Sequence, residues 1–121
     1  MRIKCSMLKT IKEGFKVLVS SIFYGYASVM IKNGSFETGD KYIKKSYKWS
    51  ANEYTYITTK MLEGILRKKQ KKYLEANKIF LSVSEILQKS NNFYDYPDFE
   101  NFVLDFENEF GVIENKIRKD K

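Results

Sequence analysis

Histidine is absent from these 121 residues. Because histidine is the commonest general base and the commonest zinc ligand, its absence excludes Ser-His-Asp sites, Cys-His sites and histidine-containing metal sites. Any enzyme built from this chain would have to use carboxylates, lysine or tyrosine, and nothing else in the sequence converges on a carboxylate pair. The sequence therefore predicts a non-enzymatic protein without a cofactor or a metal.

Cysteine and arginine are also scarce. The single cysteine, Cys5, excludes an internal disulfide framework and fits a reducing compartment, so we expect a cytoplasmic protein. Nineteen lysines stand against three arginines, alongside many Ile, Asn, Tyr and Phe residues. These residues have AT-rich codons, which suggests a low-GC bacterium or its phage as the origin.

The chain has only one long uncharged run, at residues 17–31, and basic residues precede it. This layout resembles a signal peptide, but the run contains three serines and two tyrosines and follows Glu13. A membrane span needs roughly 20 mainly apolar residues, so the run is also short for that role. We therefore expect a buried first helix and no membrane span.

Apolar residues recur at steps of three or four along most of the chain, which is helical spacing. Five helices are predicted, at residues 7–32, 36–48, 51–68, 71–90 and 97–118. The expected architecture is a single all-α domain at 1–121, with an apolar first helix (1–33), helical hairpins (34–90) and an acidic amphipathic C-terminal helix (91–121). The three predicted apolar stripes are Leu8, Ile11, Phe15, Leu18, Ile22, Tyr26 and Val29; Tyr73, Ala76, Phe80, Val83 and Leu87; and Phe99, Phe102, Phe106, Phe110, Ile113 and Ile117.

Start and stop signals lie between these stripes. Gly34 should end the first helix and Ser35 should cap the second, while Ser50 and Glu53 form a capping-box pattern before the third. Asn91 and Asn92 mark another stop, and Pro97 suits a first helical position. Residues 54–59 (YTYITT) have strand-like composition, but the preceding capping pattern favours helix.

Shifting the chain on itself by 37 residues aligns small residues with small and large with large: Ala27 with Gly64, Phe36 with Tyr73, Gly39 with Ala76, Ile43 with Phe80, and Ser46 with Val83. Over residues 20–90 this pattern resembles the tetratricopeptide repeat. The first copy carries the pattern at Phe23, Tyr26, Ala27, Met30, Gly34, Phe36, Gly39, Ile43 and Ser46, whereas Lys60, Glu63 and Lys71 depart from it in the second. The resemblance implies stacked antiparallel hairpins with a concave face that binds a peptide or protein, and outer faces that caps or a second subunit must cover. A plain antiparallel helical bundle is the alternative.

The segment KNGSFETGDKY at residues 32–42 has two glycines at the separation of a phosphate-binding loop. However, Asp40 stands where that loop requires lysine, and an acid there would repel a phosphate. We interpret the segment as the turn of a helical hairpin.

Charge is unevenly distributed: residues 1–90 carry a net +11 and residues 91–115 a net −7. Residues 67–72 join two predicted helices with a basic turn, which could simply be solvated or could contact phosphates or an acidic partner. The acidic helix is expected to present its acids on one face and to lie near the basic turns, screening them. The candidate partner-binding residues are Tyr47, Trp49, Tyr54, Tyr56, Arg67, Lys68, Lys69, Lys71 and Lys72.

The leading hypothesis is a small interaction protein that binds a protein or peptide through an aromatic and lysine-rich helical surface, and that self-associates as a homodimer. The alternative is a basic helical nucleic-acid-binding protein, or a phage-type inhibitor of a nucleic-acid-handling enzyme.

Overall fold

The computed structural model describes residues 2–90, 92–96 and 98–111, with side chains from residue 10 onward. Within these ranges it is helical and contains no strand, which confirms the all-α prediction. The bounds predicted for the second helix are confirmed, and those of the third and fourth agree to within two residues. The helices are α1 (Arg2–Lys32), α2 (Phe36–Lys48), α3 (Glu53–Lys69), α4 (Tyr73–Lys89) and α5 (Phe99–Phe110), with a short 3₁₀ helix at Asn92–Asp95.

The contacts of the chain cluster into two compact units, Met1–Thr59 and Lys60–Lys121. The division falls inside α3, whose first residues belong to unit 1 and whose later residues belong to unit 2. The single domain expected from the sequence stays a prediction, and the two units are described separately.

In unit 1, α1 and α2 form an antiparallel hairpin around a turn at Gly34. The Ser35 amide donates to the Met30 carbonyl at 2.8 Å, and the Gly34 amide donates to the Ile31 carbonyl at 3.1 Å. This is a Schellman turn, which requires a left-handed residue, and Gly34 supplies it with φ of 83°. Ser35 occupies the predicted N-cap position, but its side chain makes no capping hydrogen bond.

The two helices of this hairpin approach each other closely at Gly39. A Cβ atom at this position would lie 2.9 Å from Ile31 Cγ1 and 3.6 Å from the Ala27 carbonyl oxygen. Both Ala27 and Ile31 are buried, so the contact belongs to the core of unit 1. Gly39 therefore permits the close approach of α1 and α2, which agrees with the hairpin predicted for residues 32–42.

Buried hydroxyl groups connect α1, α2 and the start of α3. Ser20 Oγ lies 3.0 Å from both the Ser46 carbonyl and Ser46 Oγ, and Ser46 Oγ lies 2.8 Å from Thr59 Oγ1. Thr59 Oγ1 donates to the Thr55 carbonyl at 2.7 Å. Because each hydroxyl can donate one hydrogen bond and accept two, these three buried hydroxyls can satisfy their hydrogen-bonding capacity without water.

The first turn of α3 is capped two residues later than the sequence pattern suggested. Asn52, rather than Ser50, holds the N-cap: the Thr55 amide donates to Asn52 Oδ1 at 2.9 Å, and the Asn52 amide donates to Thr55 Oγ1 at 3.4 Å. Thr58 and Thr59 then donate to carbonyls one turn back. These local bonds satisfy the buried threonine hydroxyls of residues 54–59. The segment is helical, as predicted.

In unit 2, the turn between α3 and α4 repeats the hydrogen-bond pattern of the Gly34 turn. The Lys72 amide donates to the Arg67 carbonyl at 2.9 Å and the Lys71 amide donates to the Lys68 carbonyl at 2.9 Å. Lys71 takes the left-handed position with φ of 65°, a conformation that is uncommon outside glycine. The left-handed residues of the two turns, Gly34 and Lys71, are 37 positions apart in the sequence.

Aromatic rings fill the core of unit 2. The centroid of the Phe80 ring lies 5.8 Å from that of Phe106 and 5.4 Å from that of Phe110, and Phe93 stacks on Phe99 at 5.5 Å. The predicted core role is confirmed for the buried residues Ala76, Val83, Leu87, Phe99 and Phe106. It is wrong for Tyr73, which is exposed.

The last helix differs from its prediction. α5 ends at Phe110, not at 118, because Gly111 leaves helical geometry with φ of 99°. Glu107 is buried, so the acids of this helix do not all share one solvated face. Asn91, Pro97, Ile113, Glu114 and Ile117 lie outside the described residues, as does the side chain of Leu8.

The expected buried first helix is wrong. The residues predicted to form its core-facing stripe point outward, with exposed fractions between 48% and 62%. The buried face of α1 is instead formed by Ser20, Ala27 and Ile31, the residues nearest α2. The outward set, which we name the α1 apolar face, consists of Ile11, Phe15, Leu18, Ile22, Tyr26 and Val29.

Two glycine substitutions test the hairpin packing. Gly39→Ala should lower the free energy of unfolding by about 1–2 kcal/mol, because overpacking against Ile31 outweighs the helix propensity gained. Gly14→Ala is the matched control within α1, since a Cβ there meets nothing within 4 Å, and it should stabilise by about 0.5–1 kcal/mol. Chemical denaturation measures both, and equal effects of the two substitutions would contradict the described packing.

Candidate interaction surfaces

Two of the four predicted aromatic residues meet on unit 1. The rings of Tyr47 in α2 and Tyr56 in α3 have centroids 5.6 Å apart. Tyr56 is 43% exposed, while Tyr47 is half-buried beside it. Such a ring pair presents a preformed aromatic edge, because each side chain restricts the rotamers of the other.

Trp49 and Tyr54 are placed differently from this pair. Trp49 contacts Phe15 of α1 edge-on, with ring centroids 6.1 Å apart. Tyr54 is half-buried in the first turn of α3, where its carbonyl accepts from Thr58. The structure therefore connects Trp49 to the α1 apolar face rather than to the tyrosine pair.

A second aromatic group on unit 1 was not predicted as a site. Tyr42 of α2 stacks on Phe23 at 6.1 Å and lies 5.5 Å from Tyr26. Lys45 Nζ lies over both the Phe23 and Tyr42 rings, at 5.5 and 5.8 Å from their centroids. The sequence offered one signal for this group. Phe23 and Tyr26 are three positions apart before the hairpin turn, and Tyr42 follows the turn on the next helix.

The α1 apolar face belongs to the one helix, in the described part of the chain, that is long and apolar enough to cross a membrane. This segment is Thr10–Lys32, and 17% of its most apolar window is buried. This helical segment is longer than the uncharged run at 17–31 because it includes charged residues on both sides of that run. Signal sequences and core helices have the same composition, so the absence of a membrane span stays a prediction, as does cytoplasmic localisation.

In the basic turn of unit 2, Arg67 has several local partners. Its guanidinium lies 3.4 Å from Glu63 Oε2 and 3.7 Å from Glu75 Oε2, and it donates to Gln70 Oε1 at 2.9 Å. With 14% of its side chain exposed, Arg67 stabilises the α3–α4 turn from within. It is poorly placed to contact an external partner.

The acidic helix does lie against this turn, as expected. Lys69 Nζ is 3.4 Å from Glu109 Oε1, and the Lys68 ammonium donates to the Glu109 carbonyl. Lys68 Nζ also lies 5.4 Å from the centroid of the Phe110 ring. α5 thus neutralises part of the basic turn, and the exposed Lys71 and Lys72 remain as its outward charges.

The glycines of KNGSFETGDKY serve the hairpin and not a phosphate site. Gly34 makes the turn, Gly39 packs on α1, and Asp40 lies 3.4 Å from Lys44 on the surface of α2. Across residues 2–90, 92–96 and 98–111, no group of three or more cysteine, aspartate or glutamate side chains could hold a metal ion.

Comparison of the chain with models of protein families, with curated protein sequences and with solved structures finds no match. The interpretation of these surfaces therefore depends on their geometry.

The contact between α5 and the basic turn can be tested by removing one charge. Glu109→Gln should lower the free energy of unfolding by at most about 1 kcal/mol at low salt, because Lys69 and Glu109 are each about a third exposed and solvent screens them. The Lys68 bond to the backbone at residue 109 remains in this variant. Denaturation at low and high salt measures the loss, which should disappear as salt rises.

Asp105→Asn is the control, since it removes the same charge from an exposed position of the same helix. It should leave stability nearly unchanged. A loss in Glu109→Gln that is independent of salt, or that Asp105→Asn reproduces, would contradict a role for the Lys69 pair.

Proposed function

We propose that this chain is a non-enzymatic interaction protein, similar in design to a short tetratricopeptide-repeat unit, that binds a protein or peptide through the aromatic surface of unit 1. The observation that carries the proposal is the ring contact between Tyr47 of α2, which is half-buried, and Tyr56 of α3, which is 43% exposed. Exposed aromatic side chains with few accessible rotamers are typical anchors of binding surfaces.

The likeness to the repeat design is supported by the two hairpin turns. Their hydrogen-bond pattern is the same, and α2 and α4 begin 37 residues apart, at Phe36 and Tyr73. The small residues that the resemblance requires at Gly39 and Ala76 are both buried. Lys71 replaces the turn glycine in the second hairpin without changing its geometry.

Lysines accompany Tyr47 on α2. Lys44 is three positions before Tyr47, so the two side chains share a helix surface. Lys48 follows Tyr47 and is exposed. These charges suit a partner segment that combines acidic residues with an apolar anchor, because they speed its association.

Nucleic-acid binding is the second candidate, and the exposed Lys71 and Lys72 favour it. Arg67, Lys68 and Lys69 support it less, since acids or backbone oxygens of unit 2 already contact them. Lysine also contacts phosphate as a point charge and lacks the bidentate geometry with which arginine reads bases.

The proposal predicts that Tyr56→Ala reduces partner retention at least about tenfold, as expected for loss of an aromatic anchor. Tyr73→Ala is the matched control, because it removes an exposed helical tyrosine from unit 2 and should leave retention unchanged. The measurement is quantitative recovery of protein and nucleic acid from a lysate of the source organism on immobilised wild type and both variants.

Salt and nuclease treatment distinguish the two candidates. A protein partner anchored by aromatic contacts should remain bound after nuclease digestion and at high salt. Recovered material that is nuclease-sensitive and dissociates log-linearly with salt would instead favour phosphate binding. Equal recovery on wild type and Tyr56→Ala would contradict the proposed surface.

A further inference from the structure

α1 is apolar on two opposite faces, and unit 1 covers only one of them. Ser20, Ala27 and Ile31 face α2, whereas the six large side chains of the α1 apolar face are each about half exposed. Their exposed fractions together equal about three fully exposed side chains, or on the order of 500 Å² of apolar surface. Apolar patches of this order are among the largest that monomeric proteins usually expose, and they are often functional.

The spacing of the exposed residues identifies what kind of surface fits. Ile11, Phe15, Leu18, Ile22, Gly25 and Val29 follow one another at alternating steps of four and three. This is the 3.5-residue period of a helix that packs lengthwise against another helix, and it is narrower than an ordinary core-facing stripe. Phe15, Ile22 and Val29 occupy one seam position of this heptad, and Ile11, Leu18 and Gly25 occupy the other.

We propose that the α1 apolar face is covered by the same face of a second copy of this chain. β-branched residues at one seam position and leucine at the other favour two strands, and Ile22, Val29 and Leu18 follow that rule. This pairing uses a different face from the tyrosine pair and does not depend on the partner proposed above.

Residues beside the seam fit a pairing of like chains. One flank carries the small uncharged residues Gly14, Ser21 and Ser28, and the other carries Lys12, Val19 and Tyr26. Only Lys12 brings charge to these flanking positions among the side chains described. Two copies can therefore pack together with little like-charge repulsion.

Gly25 supports the same conclusion. It lies in the interior of α1, where glycine costs roughly 1 kcal/mol relative to alanine. A Cβ atom at Gly25 would meet nothing within 4 Å in its own chain, so internal packing does not explain the glycine. Its seam position provides a reason, since a missing side chain lets a second helix approach.

The area is close to what a dimer requires. A standard interface buries about 800 Å² per partner, and homodimer interfaces are about 65% apolar, which corresponds to roughly 520 Å² of apolar surface. The α1 apolar face supplies an area of that order without any rearrangement of unit 1.

A lipid bilayer is the competing occupant, because Thr10–Lys32 also has the length and composition of a span. Spanning would separate α1 from α2 and break the buried Ser20–Ser46 hydrogen bonds. Association in the plane of the bilayer keeps those bonds, because α2 would still cover Ala27 and Ile31. Interfacial helices are rich in Lys and Arg beside their apolar face, whereas residues 17–31 of α1 carry no charge, so a second helix fits better.

The test compares two exposed leucines. Leu18→Lys places a charge in the seam and should weaken dimerisation at least about 100-fold, because a buried unpaired charge is strongly disfavoured. Leu81→Lys in α4 is the matched control, since Leu81 is 66% exposed and Leu18 is 58% exposed. Sedimentation equilibrium of the full chain in detergent-free buffer should show a dimer for wild type and Leu81→Lys, and a monomer for Leu18→Lys.

Ile22→Glu provides a second seam variant with the opposite charge and should also be monomeric. Circular dichroism verifies that each variant retains its helices, which is expected because the substituted side chains are exposed. Trp49, the only tryptophan, contacts the seam residue Phe15, so its emission should shift with dilution in wild type and not in Leu18→Lys.

A wild-type chain that stays monomeric at every concentration would overturn the proposal, as would seam variants that dimerise as strongly as wild type. Vesicles of phosphatidylcholine with and without phosphatidylglycerol provide the membrane arm. If a monomeric wild type sediments with vesicles and Leu18→Lys does not, the face binds lipid and the second-copy proposal is overturned. Loss of dimerisation leaves the Tyr56 experiment unaffected, so the two proposals fail separately.

Discussion

The hydrogen-bonded chain from Ser20 through Ser46 to Thr59 is the constraint on which unit 1 depends. These hydroxyls are buried, and a buried hydroxyl without a partner is costly, so each must face the others. This requirement fixes the rotation of α1 about its own axis. With Ser20 turned towards α2, the residues on the other side of α1 are turned into solvent.

The two units use aromatic residues for different purposes. In unit 2 the ring of Phe80 stacks on that of Phe106, and the ring of Phe93 stacks on that of Phe99. In unit 1 the aromatic contacts lie at the surface, and Phe15, Tyr26 and Tyr56 remain exposed while touching a neighbouring ring. The exposed ring contacts that a partner could bury therefore lie on unit 1, whereas unit 2 exposes apolar side chains such as Tyr73 and Leu81 together with the charges of its basic turn.

Charge on unit 2 is moderated by its own acids. Glu63, Glu75 and Glu109 lie within 4 Å of Arg67 or Lys69, although such pairs contribute little to stability where they are solvated. Their main consequence is to lower the positive potential of the turn that joins α3 and α4. A basic segment in the sequence thus becomes, in three dimensions, a smaller basic surface around Lys71 and Lys72.

Much of the fold could be predicted from the sequence because its signals are local. Helical periodicity located α2, α3 and α4, and the Gly34 turn followed from the preference of glycine for positive φ. The cap of α3 was misplaced because Ser50 and Asn52 are both capping residues, and hydrogen-bond geometry alone distinguishes them. Of the candidate site, the surface position of Tyr56 and the approach of α5 to the basic turn were predicted. The burial of Glu107 was not, because it depends on packing in three dimensions. The partners of Arg67 are close to it in sequence, but spacing alone does not select Glu63, Gln70 and Glu75 among the nearby polar side chains.

By itself, the sequence determined the helical class, the positions of the hairpin turns and the absence of histidine chemistry, since each depends on residue type and short-range spacing. Only the tertiary structure decided which side of α1 faces inward. Because α1 is apolar on two opposite faces, its sequence does not determine which face is buried; that depends on where the neighbouring helix packs. The buried hydrogen bonds among Ser20 of α1, Ser46 of α2 and Thr59 of α3, and the close approach of α1 at Gly39, place the Ser20 side of α1 inward and leave the opposite apolar face exposed.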